Sequence, residues 1–300
     1  MNLPNSKETN SRKRNIQCNN NKWFAIAAGV TITSLSVLSS TAAQAATYTL
    51  DFNSGANGGA VSYNSDGTLN TTQWSSWGLT NISGVNNRNG GTTAKLNTYN
   101  TNASDGPDPD LQTGSEWGTS QQGNALIIQE ENQHNIDYFN NNGTWRADDE
   151  WAGGNINFDF AHTVAFNSFS LLDIDDNGSG IMLHGQKTDG SALSIDIDAL
   201  MAKHLATNGT DAAASQGESV SLNGVTMTQV GSQRGDNSLF KFDISDVHLT
   251  QVRFSYPGSG AISDIEWDYR QPIPEPSSMI GLAMFGLLGA ATKRKCKALT

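Results

Sequence analysis

Aspartate residues cluster in three short segments that are separated by long stretches of the chain. Asp105, Asp108 and Asp110 form the first segment, Asp148 and Asp149 lie in the second, and Asp173 and Asp175 lie in the third. Ca²⁺ binds six to eight oxygen atoms at about 2.3–2.6 Å, and acidic loops supply such atoms. The sequence therefore predicts Ca²⁺ bound to at least one segment, and solvated acidic loops are the alternative.

Aromatic residues in polar loops indicate a second kind of site. Trp74 and Trp77 lie three residues apart in a stretch rich in Asn, Gly, Ser and Thr. An exposed indole ring can stack on the apolar face of a sugar while nearby polar groups bond its hydroxyls. We therefore predict that Trp74 and Trp77 contact a glycan. The alternative is that both rings attach a long loop to the core.

Three carboxylates, Asp264, Glu266 and Asp268, alternate along one segment and would share one face of a strand. Retaining glycosidases need two carboxyl groups about 5–5.5 Å apart, which neighbours on a strand face can approach. The chain has no Gly-x-Ser-x-Gly, His-Glu-x-x-His or phosphate-loop motif, and its five histidines lack zinc-ligand spacing. We therefore expect no enzymatic activity, with a sandwich glycosidase as the alternative.

The same carboxylates offer a second cation site if the first and last strands of the domain pair. Asp51 and Asn53 share one face of the first predicted strand, while Leu50 and Phe52 point the other way. Pairing would bring these oxygens close to those of residues 264–268. A plain solvent-facing surface explains the same pattern.

The segments that must position these side chains have the pattern of short β-strands joined by polar turns. Apolar and polar residues alternate, with the two-residue period of a half-buried strand, at 48–52, 156–160, 240–244, 252–256 and 265–269. Denser apolar runs at 125–128 and 169–174 favour central strands, and only 199–206 has a helical pattern. We predict an all-β fold, a β-sandwich of jelly-roll type, with long loops at 53–122 and 131–155.

The N-terminus has the order of a secretory signal peptide. Basic residues lie within the first 22 positions, a mostly apolar stretch follows from Trp23 to Leu38, and small residues occupy Ala43 and Ala45. We predict cleavage by signal peptidase after Ala45, and we exclude residues 1–45 from the fold.

Charge and cysteine content constrain the part of the chain that remains. Residues 46–276 have 9 Lys and Arg against 28 Asp and Glu, a net charge of −19 compared with −11 for the whole chain. Such a surface repels nucleic acid and attracts cations, so we expect no nucleic-acid partner. Both cysteines lie outside this region, so the domain cannot form a disulfide and depends on packing, helped by bound metal.

The C-terminus combines a proline-flanked acidic residue, an apolar stretch and a basic cluster. Pro274-Glu275-Pro276 precedes the uncharged residues Met279–Thr292, which would span about 21 Å as a helix at roughly 1.5 Å per residue. Lys293-Arg294-Lys295 then favours a cytoplasmic end by the positive-inside rule. This tail resembles the PEP-CTERM sorting signal of Gram-negative bacteria. The resemblance implies that the tail holds the exported chain transiently in the inner membrane until an exosortase cuts near the Pro-Glu-Pro.

Six segments between residues 105 and 269 also resemble an uncharacterised ectodomain that recurs in PEP-CTERM proteins. They are Asp108–Leu111, Gly123–Glu130, Phe158–Phe160, Leu171–Asp175, Gly235–Ser238 and Gly258–Ile262. This resemblance implies a β-sandwich at the cell surface and no particular activity. The predicted organisation is a signal peptide (1–45), a sandwich ectodomain (46–270), a Pro-Glu-Pro linker (271–278) and a transmembrane helix with a basic cytoplasmic tail (279–300).

These features predict an exported, exosortase-processed protein of the cell surface or extracellular matrix. We expect it to be stabilised by Ca²⁺, to need no other cofactor and to associate with exopolysaccharide in a biofilm. Signal peptidase and exosortase would be its processing partners. The alternatives are a carbohydrate-active enzyme and a specific lectin-like module.

Overall fold

Each alternating or apolar segment identified in the sequence contributes to a β-strand of the structure. This structure is a computed structural model, and it describes residues 45–88, 90–102, 108–131, 146–174, 180–245 and 247–270. The strands are β1 (Ala45–Leu50), β2 (Leu79–Asn86), β3 (Thr92–Thr93), β4 (Leu96–Asn100), β5 (Asn124–Ile128), β6 (Gly154–Leu172), β7 (Met182–Lys187), β8 (Ala192–Asp196), β9 (Ser219–Leu222), β10 (Val225–Gln229), β11 (Leu239–Ile244), β12 (His248–Tyr256) and β13 (Ala261–Arg270). One α-helix, α1 (Ile197–Asn208), covers the segment with the helical pattern.

The long strand β6 organises the fold because its two halves have different neighbours. Its first half pairs with β2 and β12, and these strands continue to β3 and to β7 and β8. Its second half pairs with β13 and β11. Strand β13 continues to β1 and β5, and β11 continues to β10 and β9. Because β6 passes from one layer to the other, the predicted all-β, sandwich-like fold is confirmed.

Aromatic side chains fill the space between the two layers. Phe254 of β12 meets Phe158 of β6 edge-on, with ring centroids 5.8 Å apart. Phe254 also contacts Phe169 in the second half of β6 at 5.0 Å, and Phe169 stacks on Phe242 of β11 at 4.6 Å. All four rings are buried, so they join the two layers into one core.

The first and last strands of the described domain pair antiparallel, which is the condition that the sequence analysis set for a second cation site. Ala45 lies opposite Arg270, and Leu50 lies opposite Ile265. Leu50, Ile265 and Trp267 are fully buried, so the apolar face of this pair points into the core. The described domain therefore begins and ends at one position of the sheet.

The stretch at 53–122 differs from the predicted long loop because it contains β2, β3 and β4. In β4 the polar residues Asn97 and Thr98 are buried as well as the apolar ones, and Asn97 Nδ2 donates to Gln129 Oε1 at 2.9 Å. In β2 a register shift between Leu79 and Asn81 interrupts the alternation. The two-residue period is therefore hidden in both strands.

No helix in the described ranges is both long and apolar enough to cross a bilayer. The predicted signal peptide up to residue 44, the linker and the sorting tail lie outside the described residues.

We predict that Phe169→Ala lowers the free energy of unfolding of the ectodomain (46–270) by about 3–5 kcal/mol, because it removes a buried ring that both layers contact. Urea denaturation followed by circular dichroism measures the change. The control is Leu205→Ala on α1, where the side chain is 46% exposed, and its expected loss is below about 1 kcal/mol. Equal losses in the two variants would contradict the described core.

Candidate metal centre

Carboxylates from two separate acidic segments of the sequence meet at one buried position. Asp108, Asp148 and Asp149 each place one carboxylate oxygen so that these three oxygens lie within 4.8 Å of one another. Their exposed fractions are only 6%, 7% and 9%. We call these three residues the carboxylate cluster.

Asp108 is positioned by a short 3₁₀ turn, Pro109–Leu111, which follows it directly. The hydroxyl of Tyr99 on β4 donates to the carbonyl oxygen of Asp108. The buried side chain of Asn237 donates to the carbonyl oxygens of Pro109 (2.7 Å) and Gln112 (3.1 Å). The backbone N–H of Asn237 donates to the carbonyl of Asp110 at 2.6 Å. Asn237 thus fixes both ends of the turn that carries the first acidic segment.

Asp148 and Asp149 lie beside the end of β5. The N–H of Glu130 donates to the carbonyl oxygen of Asp148 at 2.8 Å. The N–H of Gly260 donates to Asp149 Oδ2 at 2.6 Å, which aims this carboxylate at the turn before β13. Gly260 has a φ of 142°, a conformation that side-chain-bearing residues rarely adopt, so glycine is needed at this position.

Asp173, from the third acidic segment, lies next to the cluster at the end of β6. Its φ of 51° turns the chain sharply after Leu172, and its N–H donates to the carbonyl of Ser238 at 3.1 Å. The hydroxyl of Ser259 donates to Asp173 Oδ2 at 3.2 Å. Its negative charge acts on Asp149, so all three acidic segments converge.

Burial and like charges make the carboxylate form of Asp149 unfavourable. Burial is the largest cause that raises the pKa of Asp149 well above its ordinary value, and the hydrogen bond from Gly260 lowers it in part. The charges of Asp173, Asp148 and Asp110 raise it again. Burial also raises the pKa of Asp110, with a further contribution from Asp236. At neutral pH this region favours binding of a proton or a metal cation.

Two neighbouring glutamates are balanced differently. Arg88 Nη2 lies 2.5 Å from Glu130 Oε1, and Arg88 Nε lies 2.9 Å from Glu150 Oε1. The same guanidinium lies 5.2 Å from the ring centre of Trp151. Arg88 therefore forms ion pairs with two glutamates that lie close to the aspartates.

The geometry of the cluster fits Ca²⁺. Opposite ligands of one Ca²⁺ lie about 4.6–5.2 Å apart, twice the about 2.3–2.6 Å of a calcium–oxygen bond. The cluster oxygens fall within that span. Asp108 Oδ2 and Asp110 Oδ1 are buried without a hydrogen-bond partner, and such atoms are rare unless a ligand satisfies them. Asp108, Asp148 and Asp149 could hold the ion directly, with Asp110 beside them.

The sequence presents the three acidic segments as separate candidates, whereas the structure brings them to one place. Asp108, Asp110, Asp148, Asp149 and Asp173 all lie there. Asp105 and Asp175 lie outside the described residues.

The predicted glycan contact through Trp74 is wrong. Its side chain is fully buried, its Nε1 donates to the carbonyl of Ser54 at 2.9 Å, and its ring meets Phe52 edge-on. Trp77 is half-buried and stacks on Tyr48 with centroids 5.4 Å apart. Trp74 therefore attaches a loop to the core, as the alternative interpretation held, and Trp77 packs against the same core.

Two carboxylates of β13, Asp268 and Glu266, have hydroxyl partners on β1, and the third, Asp264, bonds Ser170 of β6. Within the described residues these three carboxylates do not form a group that could share a metal ion. Thr47 Oγ1 donates to Asp268 Oδ1 at 2.6 Å, and Thr49 Oγ1 lies 3.5 Å from Glu266 Oε2. The side chain of Asn53 is occupied by the start of β5, since its Oδ1 accepts from Asn124 N at 2.8 Å. Burial raises the pKa of Asp264.

Sequence reasoning missed two residues that build the site, Asn237 and Gly260. Both fall in segments that carry the ectodomain resemblance, Gly235–Ser238 and Gly258–Ile262. A third segment that carries this resemblance, Asp108–Leu111, begins with Asp108 of the carboxylate cluster. The positive φ of Asn237 (62°) is a conformation for which Asn and Gly are enriched, so the residue type was the available signal.

Comparison with known proteins finds a match to the family model of the PEP-CTERM protein-sorting motif at residues 272–295. The match includes Pro274-Glu275-Pro276 and Lys293-Arg294-Lys295, so the predicted sorting signal is confirmed. The motif implies export, anchoring of the C-terminus in the membrane and processing by exosortase. No curated protein and no solved structure matches the chain.

We predict that the metal-free ectodomain in EDTA loses stability as pH rises above about 4. Because the pKa of Asp149 is raised, the folded state binds more protons than the unfolded state between the ordinary value of 3.8 and the raised value. The free energy of unfolding must then fall as pH rises through that window. Urea denaturation at a series of pH values measures this slope.

Asp149→Asn should flatten that slope, because asparagine keeps an acceptor for Gly260 without a charge. Asp189→Asn is the matched control, since Asp189 lies in an exposed turn and its pKa is lowered. A slope that is the same in the parent protein and in Asp149→Asn would refute the buried repulsion.

Proposed function

We propose that this PEP-CTERM protein, which is exported and sorted by exosortase, acts at the cell surface or in the extracellular matrix as a calcium-stabilised, non-enzymatic β-sandwich associated with exopolysaccharide. The convergence of Asp108, Asp148 and Asp149 at one buried position carries the calcium part of the proposal. The sorting motif supports the location.

Calcium would supply a cross-link between distant segments, which the ectodomain cannot form with a disulfide. Residues 46–276 contain no cysteine, so the exported domain has no disulfide to tie its loops together. One ion bound by Asp108, Asp148 and Asp149 would join the turn after β4 to the segment before β6. Those residues are about 40 apart in sequence, and closing long loops is where such a link gains most. Extracellular calcium modules bind at about 10⁻⁴–10⁻³ M, which suits an exported protein.

Burial favours a structural ion over a catalytic one. The three carboxylates are no more than 9% exposed, which leaves little room for a substrate to reach a bound ion. Along β13 the hydroxyl of Thr47 bonds Asp268, one of the carboxylates of the glycosidase alternative. Both observations support a protein that is stabilised by its ion and does not hydrolyse a polysaccharide.

We predict that about 10 mM CaCl₂, roughly 100 times a Kd of about 10⁻⁴ M, raises the melting temperature of the ectodomain by roughly 5–10 °C over its value in EDTA. An ion at about 100 times its Kd adds about 2.7 kcal/mol, and a domain of this size gains about 2–4 °C per kcal/mol. Differential scanning calorimetry measures the shift.

Asp108→Asn should remove most of that calcium-dependent shift, whereas Asp189→Asn should keep it. MgCl₂ at the same concentration should give a smaller shift, because Mg²⁺ needs shorter bonds and regular octahedral geometry. Identical melting curves in CaCl₂ and EDTA would contradict the proposed calcium binding and would leave the conclusion on export unaffected.

We predict that replacing Pro274-Glu275-Pro276 by three alanines leaves export intact but blocks exosortase cleavage. The predicted signal peptide is unchanged, so the chain should still lose its N-terminus. Immunoblotting of cell fractions should then show a membrane-bound species that retains the tail. The control is a chain with Asp189→Asn, which keeps the tripeptide and should be processed like the parent protein. Normal processing of the alanine variant would contradict sorting through the tripeptide.

A further inference from the structure

An open cleft of about 460 Å³ begins directly after the acidic turn. Its walls come from the end of β4 and from the segment between the 3₁₀ turn Pro109–Leu111 and β5. The side chains used in the argument below are those of Asn102, Gln112, Ser115, Glu116, Trp117 and Gln121. The volume falls within the about 300–1,000 Å³ of small-molecule sites.

We propose that this cleft binds a neutral polysaccharide, with Trp117 stacked on a sugar ring and with side-chain amides bonding its hydroxyls. The ligand class rests on the proposed surface function. The position of the site does not, because it follows from the cleft itself.

Trp117 has the exposure and the support that a stacking platform needs. It is half-buried and belongs to neither hydrophobic cluster of the described core. The backbone N–H of Trp117 donates to the carbonyl of Gly114 at 3.0 Å, and its backbone carbonyl accepts from Ser232 N at 2.8 Å. An indole ring held by its own backbone offers apolar contact area at low entropic cost. Trp117 therefore has the role that the sequence assigned to Trp74.

The chemistry of the lining selects an uncharged ligand. Asn102, Gln112 and Gln121 supply amides, each with a donor and an acceptor that suit a sugar hydroxyl. Glu116 is the one charged residue that lines the cleft as described, and it repels phosphate, sulfate and uronate groups. With no cation in this lining to pair with such anions, a neutral polymer is favoured over an acidic one.

Hydrogen bonds hold the cleft in shape without a ligand. Thr101 Oγ1 and Thr113 Oγ1 lie 2.7 Å apart, and Thr113 Oγ1 accepts from Gln122 N at 3.0 Å. Thr119 Oγ1 accepts from Gly114 N at 2.7 Å. A binding site that is already ordered loses less entropy when a ligand binds.

The test is affinity gel electrophoresis of the ectodomain (46–270), which contains all the described strands except Ala45 of β1. The gels contain dextran, galactan, mannan or polygalacturonate. We expect at least one of the three neutral polymers to retard the parent protein and polygalacturonate to retard it less. Trp117→Ala should weaken the retardation about tenfold or more, as expected for an aromatic anchor. The matched control is Trp151→Ala, because Trp151 is 63% exposed and lies outside the cleft lining.

A second variant keeps the test valid if Trp117→Ala does not fold. Ser115→Lys places a long side chain in the cleft from an exposed position and should also abolish retardation. Melting curves of each variant report folding independently of sugar.

Three results would overturn the cleft assignment: no retardation by any neutral polymer, stronger retardation by polygalacturonate, or full retardation of a folded Trp117→Ala or Ser115→Lys variant. The last result would leave the proposed polysaccharide association standing at another surface. The calcium and sorting tests use no sugar. A negative result in either test therefore leaves the proposed sugar binding by the cleft untouched, and a negative result for the cleft leaves those two conclusions untouched.

Discussion

Like-charge repulsion among the buried aspartates is the force that the surrounding structure must balance. Several of the groups that position them are neutral: the Gly260 N–H on Asp149, the Tyr99 hydroxyl on the Asp108 carbonyl, and the Asn237 amide on the turn that follows. Such donors fix where a carboxylate lies and offset only part of its charge. Arg88 shows that this chain can place a cation beside an acid, since it pairs with Glu130 and Glu150. Asp149, in contrast, is surrounded by charges of its own sign, which is the electrostatic environment of a cation site.

Strand β13 relates this cluster to the end of the described domain. It begins one residue after Gly260, which bonds Asp149, and it ends at Arg270, two residues before the sorting motif. Ten residues of strand span about 33 Å at roughly 3.3 Å per residue. The cluster therefore lies near the start of β13, while Ala45 lies opposite Arg270 at its far end. The described domain begins and stops at the end of β13 that is remote from the acidic site.

Local pattern was enough to predict six of the thirteen described strands but not the site. Apolar and polar residues alternate in β1, β11, β12 and β13, because each strand has one face in the core and one outside, and this alternation predicted them. Strand β4 was missed because its buried Asn97 and Thr98 are satisfied by partners, so that a polar residue there does not indicate a solvent face. The convergence of Asp108, Asp148 and Asp173 depends on how β5, β6 and β13 align. The register between strands that are distant in sequence cannot be predicted from the pattern of any single segment. Trp74 was misjudged for the related reason that the composition of a loop does not show which ring turns inward.

The cluster and the cleft share the turn Pro109–Leu111, which Asp108 precedes and Gln112 follows. The Asn237 amide bonds both Pro109, next to Asp108, and Gln112, which lines the cleft. A loss of order in the acidic turn can therefore reach the cleft wall along the backbone to Gln112 and also through the side chain of Asn237, which is 3% exposed. A cation that suppresses repulsion in the cluster would hold Gln112 in place, so the proposed calcium would support sugar binding without touching the sugar. Coupling of this kind needs only a shared rigid turn, because order that is established at one site lowers the entropy lost at the other.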